Sequence, residues 1–560
     1  MTIRNIFFTL CIGCALTSCS FLEVKPQVIC SETFYNTEEE VLYGLAGVYG
    51  VMSNEAFYGN YYSLMCSNTD DLCYFNRSTT ANYTNIYRHD ASATEIYAAW
   101  TEIYKGIRNA NAFMEAVPAT GFDKDGRLYN EARFLRAYYH FLLAQAWGDV
   151  PMRTEAVKTF DEIMCKASKQ YDVLVWAAEE MEACLGLAAD LLEDAPSRIC
   201  ASTIHGILAR VYLFIAGNSV SGGDKKALYG KARDHAYAVI SSGKHSLVPE
   251  YSQIFVNMIS DVYDKEYNES IWEVDFLGHR ASAESWSNGR IGDLIGLQSS
   301  GSSGYAGFLC NFAYGQYDGS LKLWDLYWTE DRTEDETSLP TVTDKRQEWN
   351  MPPYNYAGCT SQSLGLNIPA STQKAPYIYA GKTTFDDPVT AQAIRNCGKW
   401  RREVQYEAVM DSKRLYTGIN FPILRYSDIL LMYAEASLEY SGVPSQEAYD
   451  CVKMVRDRAG IKTRGFAEYD TETFRSLVRN ERGRELCFEA LRKYDLIRWG
   501  IFTESMNAYT RMATDDRWSG SAKAGYAAAI GSAVQDKHIV LPVPSVELGV
   551  NNLLNQNPLW

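Results

Sequence analysis

Histidine is scarce in this chain of 560 residues: there are seven, at positions 89, 140, 205, 235, 245, 279 and 538. None belongs to an HExxH pair, and none pairs with cysteine at zinc-ligand spacing. The GxSxG elbow, the GxxxxGK phosphate loop followed by Ser or Thr, and GxGxxG are all missing. Positive charge is in deficit, with 53 Lys+Arg against 69 Asp+Glu and a net charge of −16. Nucleic acid is therefore excluded as a general partner, because phosphate binding requires a basic surface. Long apolar runs are lacking as well. The longest, Ile6 to Leu16, falls short of the roughly 20 residues that span a bilayer.

That short run sits where an export signal belongs. Arg4 is the only charge before Glu23, the apolar stretch follows it, and small residues close it. Residues 1–18 read as a signal peptide. Leu16-Thr17-Ser18-Cys19 resembles the lipobox of bacterial lipoproteins, which makes Cys19 the lipidated first residue of the mature chain. Two or three acyl chains, at about 0.8 kcal/mol per buried CH₂, hold a protein on a membrane stably. Eleven cysteines remain after Cys19, an odd number at irregular spacing and with no CxxC among them. They read as mostly free thiols, with Cys184 and Cys487 inside helical patterns.

What is present is helix after helix. Apolar residues at steps of three and four mark helices through Ile96–Met114, Phe134–Leu142, Val173–Leu192, Ile204–Ile215 and Tyr229–Ile240. Several stop at glycine: Gly148, Gly217 and Gly243. Helices resume after Pro422, through Leu424–Leu438, Tyr449–Ala459 and Phe474–Phe488. Helices joined by short loops predict antiparallel hairpins stacked as a tetratricopeptide-like array. Between the two helical parts, residues 251–420 show few helical patterns. From Gly278 to Gly319 there are 9 glycines in 42 residues, with aromatic rings set among them. The predicted organisation is a mostly α scaffold over 19–250, with an early loop at 66–90. A loop-rich, β-poor insert over 251–420 follows, and a helical part over 421–560 packs with the first as one unit.

Several acidic and basic clusters imitate acid–base machinery. Glu481, Glu485 and Glu489 repeat every four residues, as do Arg484, Phe488 and Arg492, which predicts ion pairs along a helix rather than catalysis. Arg136 and His140 share a helical face and read as a core polar contact. Asp70-Asp71 and Glu330-Asp331 are carboxylate pairs of the type glycosidases use, but read as solvated acidic loops.

Several longer motifs recur together: Phe21-Leu22-Glu23-Val24-Lys25-Pro26 after the lipobox, Trp100-x-x-Ile103-Tyr104-x-x-Ile107-x-x-Ala110-Asn111, and Arg133-Phe134-Leu135-Arg136-Ala137-Tyr138-Tyr139 closing with Trp147-Gly148-Asp149-Val150-Pro151. Asn268–Val274 and Pro422–Ala436 add to them, and Glu481–Gly500 is the most specific. In these motifs the chain resembles the SusD/RagB family of outer-membrane nutrient-binding lipoproteins over nearly its whole length. Lys453 departs from the family's usual Asn, and the chain ends on Trp560. The resemblance implies about four tetratricopeptide-like hairpins and a loop-built face that binds a glycan. It implies a TonB-dependent transporter of the SusC type as partner, an outer-membrane location facing the exterior, and no catalytic activity. A surface glycoside hydrolase and capture of a peptide are the alternatives. No organic cofactor is implied. The metal question stays open: a structural calcium is compatible with the sequence, and no motif places it.

Sugars present apolar C–H faces and hydroxyl rims, so their sites combine exposed flat rings with a few polar groups. Family members use loops in two parts of the chain, and here these are 66–90 and the Gly-rich stretch. The candidate platforms are Trp286, Tyr314, Tyr74 and Tyr83, then Tyr305 and Trp324, with Asn76 and Arg77 as hydrogen-bond donors.

Overall fold

The computed structural model describes residues 34–77, 83–190, 196–220, 222–277, 289–299, 312–328, 344–352, 395–402, 416–515 and 522–560, with residue 287 and four two-residue strand segments between 354 and 383. Helix α1 (Glu38–Tyr49) begins where Thr37 and Glu40 cap one another, and Glu38, Glu39 and Glu40 face the positive end of its dipole. Then come α2 (Thr94–Thr120), α3 (Arg127–Trp147), α4 (Gln170–Glu182), α5 (Ala201–Ala216) and α6 (Lys225–Ser241). Asp224 caps α6 by accepting from Lys226 N and Ala227 N. Each of α2 to α6 packs against the next.

The array continues across a long gap in sequence. Helix α7 (Tyr251–Ile259) and the insert intervene, with α8 (Leu321–Trp328) and α9 (Lys345–Asn350) inside it. Then α6 meets α10 (Tyr426–Ser441), and α10 packs on both α11 (Gln446–Arg458) and α12 (Thr471–Leu486). Helix α13 (Arg492–Trp499) closes back on α5. The result is the expected mostly α, tetratricopeptide-like array. The last stretch adds α14 (Phe502–Asn507) and α15 (Ala522–Ala533), which the periodicity reading did not anticipate.

Short strands control the insert. They are β1 (Cys73–Phe75), β2 (Ser270–Val274), β3 (Tyr317–Gly319) and β4 (Phe421–Arg425). Strand β2 pairs antiparallel with β4, so residues 275–420 leave and re-enter the scaffold at one neck. Pro422 faces Glu273 in this pair and has no N–H to offer. Glu273 N donates outside the pair, to Pro196 O at 3.0 Å. One apolar core runs through both helical parts and the neck, with Trp147, Trp272 and Trp400 fully buried in it. Among the described residues, no helix is long and apolar enough to cross a membrane.

Three expected helices are shorter or different. The third stops at Glu182, and Leu185–Leu187 form a single 3-10 turn in which Leu187 is exposed. Leu424 lies in β4 rather than in a helix, because the strand must complete the neck before α10 begins. Phe488 falls beyond α12, in left-handed backbone with φ 63°, and Ala490 repeats this at 59°. The chain turns there so that α13 can run back across the array. Cys66, Cys73, Cys165, Cys184, Cys200, Cys397, Cys451 and Cys487 are free thiols. Cys19 lies outside the described residues.

Candidate ligand site

The two loop segments meet. Strands β1 and β3 pair antiparallel, with Cys73 opposite Gly319, Tyr74 opposite Asp318 and Phe75 opposite Tyr317. Asn76 N extends the pairing to Gln316 O at 2.8 Å. A third segment joins through an isolated bridge between Asp318 and Asn396. Helix α15 packs on β1 and brings in a fourth.

Asp318 is the hub, and it is fully buried. Its Oδ1 accepts from Asn76 Nδ2 at 2.7 Å and Asn396 Nδ2 at 2.6 Å. Its Oδ2 accepts from Lys523 Nζ at 2.6 Å and Tyr74 OH at 3.3 Å. A buried carboxylate held by a cation and three neutral donors is a stable anchor, since each of its lone pairs is used. The carbonyl of Gly315 takes a second bond from each amide, at 2.8 Å from Asn76 and 3.2 Å from Asn396. Gly315 sits at φ 54°, where a Cβ would lie 2.9 Å from the Gln298 backbone nitrogen, so no larger residue fits.

Among the described residues, this frame displays one exposed aromatic ring. Tyr314 is 37% exposed, and its ring stands edge-on to Phe312 with centroids 4.7 Å apart. Its backbone is fixed on both sides: Tyr314 N donates to Asp293 O at 2.6 Å, and its carbonyl accepts from the Arg77 guanidinium. Arg77 also donates to Asn76 Oδ1 and remains half-buried. A groove of about 430 Å³ lies beside the hub, lined by Asp71, Ser320, Lys322, Asp325, Tyr509 and Arg511 among others. Tyr509 links the two, standing edge-on to Tyr74 at 6.0 Å.

The expected platforms sort differently once placed. Tyr314 is exposed, as a platform must be. Tyr74 is fully buried and Trp324 is 3% exposed, with the Arg395 guanidinium 4.6 Å over its ring, so neither offers a face to a ligand. Asn76 is 1% exposed and spends its amide on Gly315 and Asp318. It positions the loop instead of donating to a ligand. Tyr83 opens a 3-10 turn, Tyr83–Ile86, and its side chain lies outside the description. Trp286 and Tyr305 lie outside the described residues. Asp318, Asn396, Lys523 and Phe312 were not anticipated. Lys523 is 205 residues from Asp318, and no local pattern marks it.

The clusters that imitate catalytic machinery are buried and paired. Asp71 accepts from Arg492 at 2.8 and 3.2 Å and from Lys322, and Asp70 accepts from the backbone N–H of Leu72 and Cys73. This pair is therefore not the solvated loop expected of it. Glu330-Asp331 lies outside the described residues. The Glu481–Arg498 stretch is structural, but its pairs join elements instead of running along one helix. Glu485 holds Arg346, Arg425 and Arg458 at 3.1, 3.0 and 2.6 Å, and Glu489 holds Arg425 and Lys399 at 2.8 and 2.7 Å. The in-helix pairs of the stretch are Arg484–Glu481, at 3.0 Å, and Arg498–Asp495, at 2.8 Å. Burial acts against the Glu485 charge, but Arg458, Arg425 and Arg346 overcome it and hold the carboxyl well below its usual range. His140 is a core contact: its Nδ1 meets Arg136 O at 2.8 Å and its Nε2 accepts from Arg153 N at 3.1 Å. Burial lowers it to about 4, so the ring is neutral at pH 7.

The described residues build a helical array with a neck-borne insert and a rigid loop junction. Residues 268–560 match the model of the SusD family, and residues 20–213 match a second family model described as starch-binding, associating with outer membrane. The chain belongs to the SusD family. It is 26% identical to SusD-like protein P25 of Formosa agariphila, over 99% of this chain and 98% of that one. A SusD homologue from Bacteroides thetaiotaomicron superposes with a TM-score of 0.80 at 24% identity, covering 95% of this chain and 98% of its own. Surface glycan-binding protein A from Bacteroides fluxus superposes with a TM-score of 0.67 at 19% identity, covering 93% and 99%.

Proposed function

We propose that this protein is a lipid-anchored, outward-facing glycan-binding protein of the outer membrane. In this reading it captures an oligo- or polysaccharide and passes it to a TonB-dependent transporter of the SusC type. The observation that carries the proposal is Tyr314: an exposed ring on a backbone pinned by Asp293 and Arg77, at the junction of two loop segments about 240 residues apart in sequence. A flat ring held rigidly over a polar frame suits a sugar's C–H face and hydroxyl rim. Family membership supports the ligand class, since relatives of this fold are named as glycan-binding proteins. Lipidation at Cys19 provides the anchor.

The test is a glycan panel, by affinity electrophoresis and then calorimetry, on the chain lacking its signal. Binding to at least one glycan, without new reducing ends, is the expected result. Tyr314→Ala should weaken it about 5- to 150-fold, corresponding to about 1–3 kcal/mol for a desolvated aromatic anchor. Retention of full affinity by that variant places the site elsewhere, and new reducing ends point to a hydrolase. Cys19→Ala should move the protein from membranes to the soluble fraction. Mild detergent extraction of wild type should co-purify a large β-barrel protein.

A further inference from the structure

Two histidines far from the loop face point at each other. His205 lies on α5 and His235 on α6, and their Nδ1 atoms are 2.9 Å apart, with ring centroids 5.2 Å apart. The other described histidines differ. His140 and His245 have both ring nitrogens bonded to protein, to Arg136 O and Arg153 N in one case and to Asn268 O and Ser202 Oγ in the other. His89 and His538 are 5% and 2% exposed, too deep for an ion to reach. His205 and His235 are only half-buried.

The far side of His235 is organised too. Its Nε2 faces Glu182 Oε1 at 3.6 Å. Glu182 is held in turn by the Tyr212 hydroxyl at 2.5 Å and Lys231 Nζ at 3.1 Å, and the Tyr212 ring stacks on His235 within 9° of parallel. Glu182 lies beyond hydrogen-bond distance of Nε2, but its charge favours a proton on that nitrogen, which leaves the Nδ1 lone pair facing His205. Metal-binding histidines carry this outer partner as a rule.

We propose that His205 Nδ1 and His235 Nδ1 form a two-histidine site for a divalent transition ion of the zinc, nickel or copper type. Zinc–nitrogen bonds of about 2.0–2.1 Å at a tetrahedral angle place two nitrogens about 3.3 Å apart. The rings therefore need to separate by a few tenths of an ångström and pivot slightly. Without metal, His205 Nδ1–H donates to His235 Nδ1. On binding, the His205 proton moves to its own Nε2, both rings ligate as neutral imidazoles, and no proton is released. No group of three or more His, Cys, Asp or Glu side chains among the described residues could hold a metal. Water therefore completes the shell, and the site is of moderate affinity.

The test uses the full mature chain without a histidine tag, stripped with chelator, and calorimetric titration with Zn²⁺, Ni²⁺ or Cu²⁺ alone. One ion per chain is expected, with a rise in melting temperature on saturation. His205→Gln and His235→Asn should each weaken the site at least tenfold. Glu182→Gln should weaken it about 10- to 100-fold, the cost of losing an outer-shell carboxylate. Absence of 1:1 binding overturns the proposal, and so does binding unchanged in His205→Gln, a polar replacement chosen to keep the fold.

Discussion

Glu273 stores a pH dependence that a single substitution should expose. It lies on β2 at the neck of the insert, 5% exposed, and accepts from Asn420 Nδ2 at 3.1 Å, with no cation paired to it among the described residues. Burial raises its carboxyl from the usual 4.5 to about 7, helped by the nearby charge of Asp275. The sign follows from proton counting. Between about 4.5 and 7 the folded chain keeps this proton and the unfolded chain has lost it, so stability falls as pH rises through that window. One pKa unit is worth 1.36 kcal/mol, and the full cost above pH 7 is about 3 kcal/mol. Glu273→Gln mimics the protonated acid and leaves an amide oxygen for Asn420. Urea midpoints from pH 5 to 8.5 should show the variant close to wild type at pH 5 and more stable by about 3 kcal/mol at pH 8. Asp275, raised to about 6 by burial, and Asp293, raised to about 7 by burial, titrate in both proteins and largely cancel. A gap independent of pH, or a variant less stable than wild type at pH 8, would refute the reasoning.

Other substitutions separate presentation from packing. Tyr74→Phe removes the bond to Asp318 and should cost about 1 kcal/mol in chemical denaturation while leaving glycan affinity close to wild type, the reverse of Tyr314→Ala. Arg425→Met removes the cation common to Glu269, Glu485 and Glu489, leaving them Arg458, Arg346 and Lys399, and should destabilise by about 3 kcal/mol, read as a lower melting temperature. Gly217→Ala places a Cβ 2.6 Å from Arg498 Cβ and 2.7 Å from its carbonyl oxygen, where Asn218 N also bonds. Overpacking against backbone should cost about 1–3 kcal/mol, measured in the same way.

The scaffold was legible because helices announce themselves locally. A period near 3.6 with glycine at the end places α3 and α10 from a few dozen residues each, and Gly148 and Gly442 do sit at positive φ. The errors came where long-range pairing overrode the local pattern. Leu424 continues an apolar helical stripe, yet β2, about 150 residues earlier, claims it as a strand partner. Phe488 keeps the register of α12, yet the chain must turn at 488–490 to send α13 back across α5. The loop site shows the same limit. The two segments read as loops in sequence, but Tyr74 is indistinguishable there from an exposed loop tyrosine. Its burial depends on β3 and Tyr509, which lie more than 240 residues away.

The buried charges explain how a loop-rich insert can present a ring rigidly. The neck alone is a five-residue pair interrupted by Pro422, a weak hinge. Ion pairs reinforce it from behind. Arg346 on α9 is fully buried against Asp344, Glu481 and Glu485, and Lys399 reaches Glu489 at 2.7 Å and the carbonyls of Glu485 and Cys487 at 3.1 and 2.8 Å. Arg425 on β4 shares Glu485 and Glu489 with them. Two points of the insert and the neck strand thus converge on the turn between α12 and α13. Removing either partner of such a pair strands a charge in the core, so partial detachment of the insert costs several kcal/mol at each contact. Asn396, three residues before Lys399, holds Asp318 and Gly315, and through them the backbone of Tyr314. The stretch that looks most like catalytic machinery therefore acts by mechanics. It fixes residues 395–402 to the scaffold, and that fixed segment holds the Tyr314 loop in place.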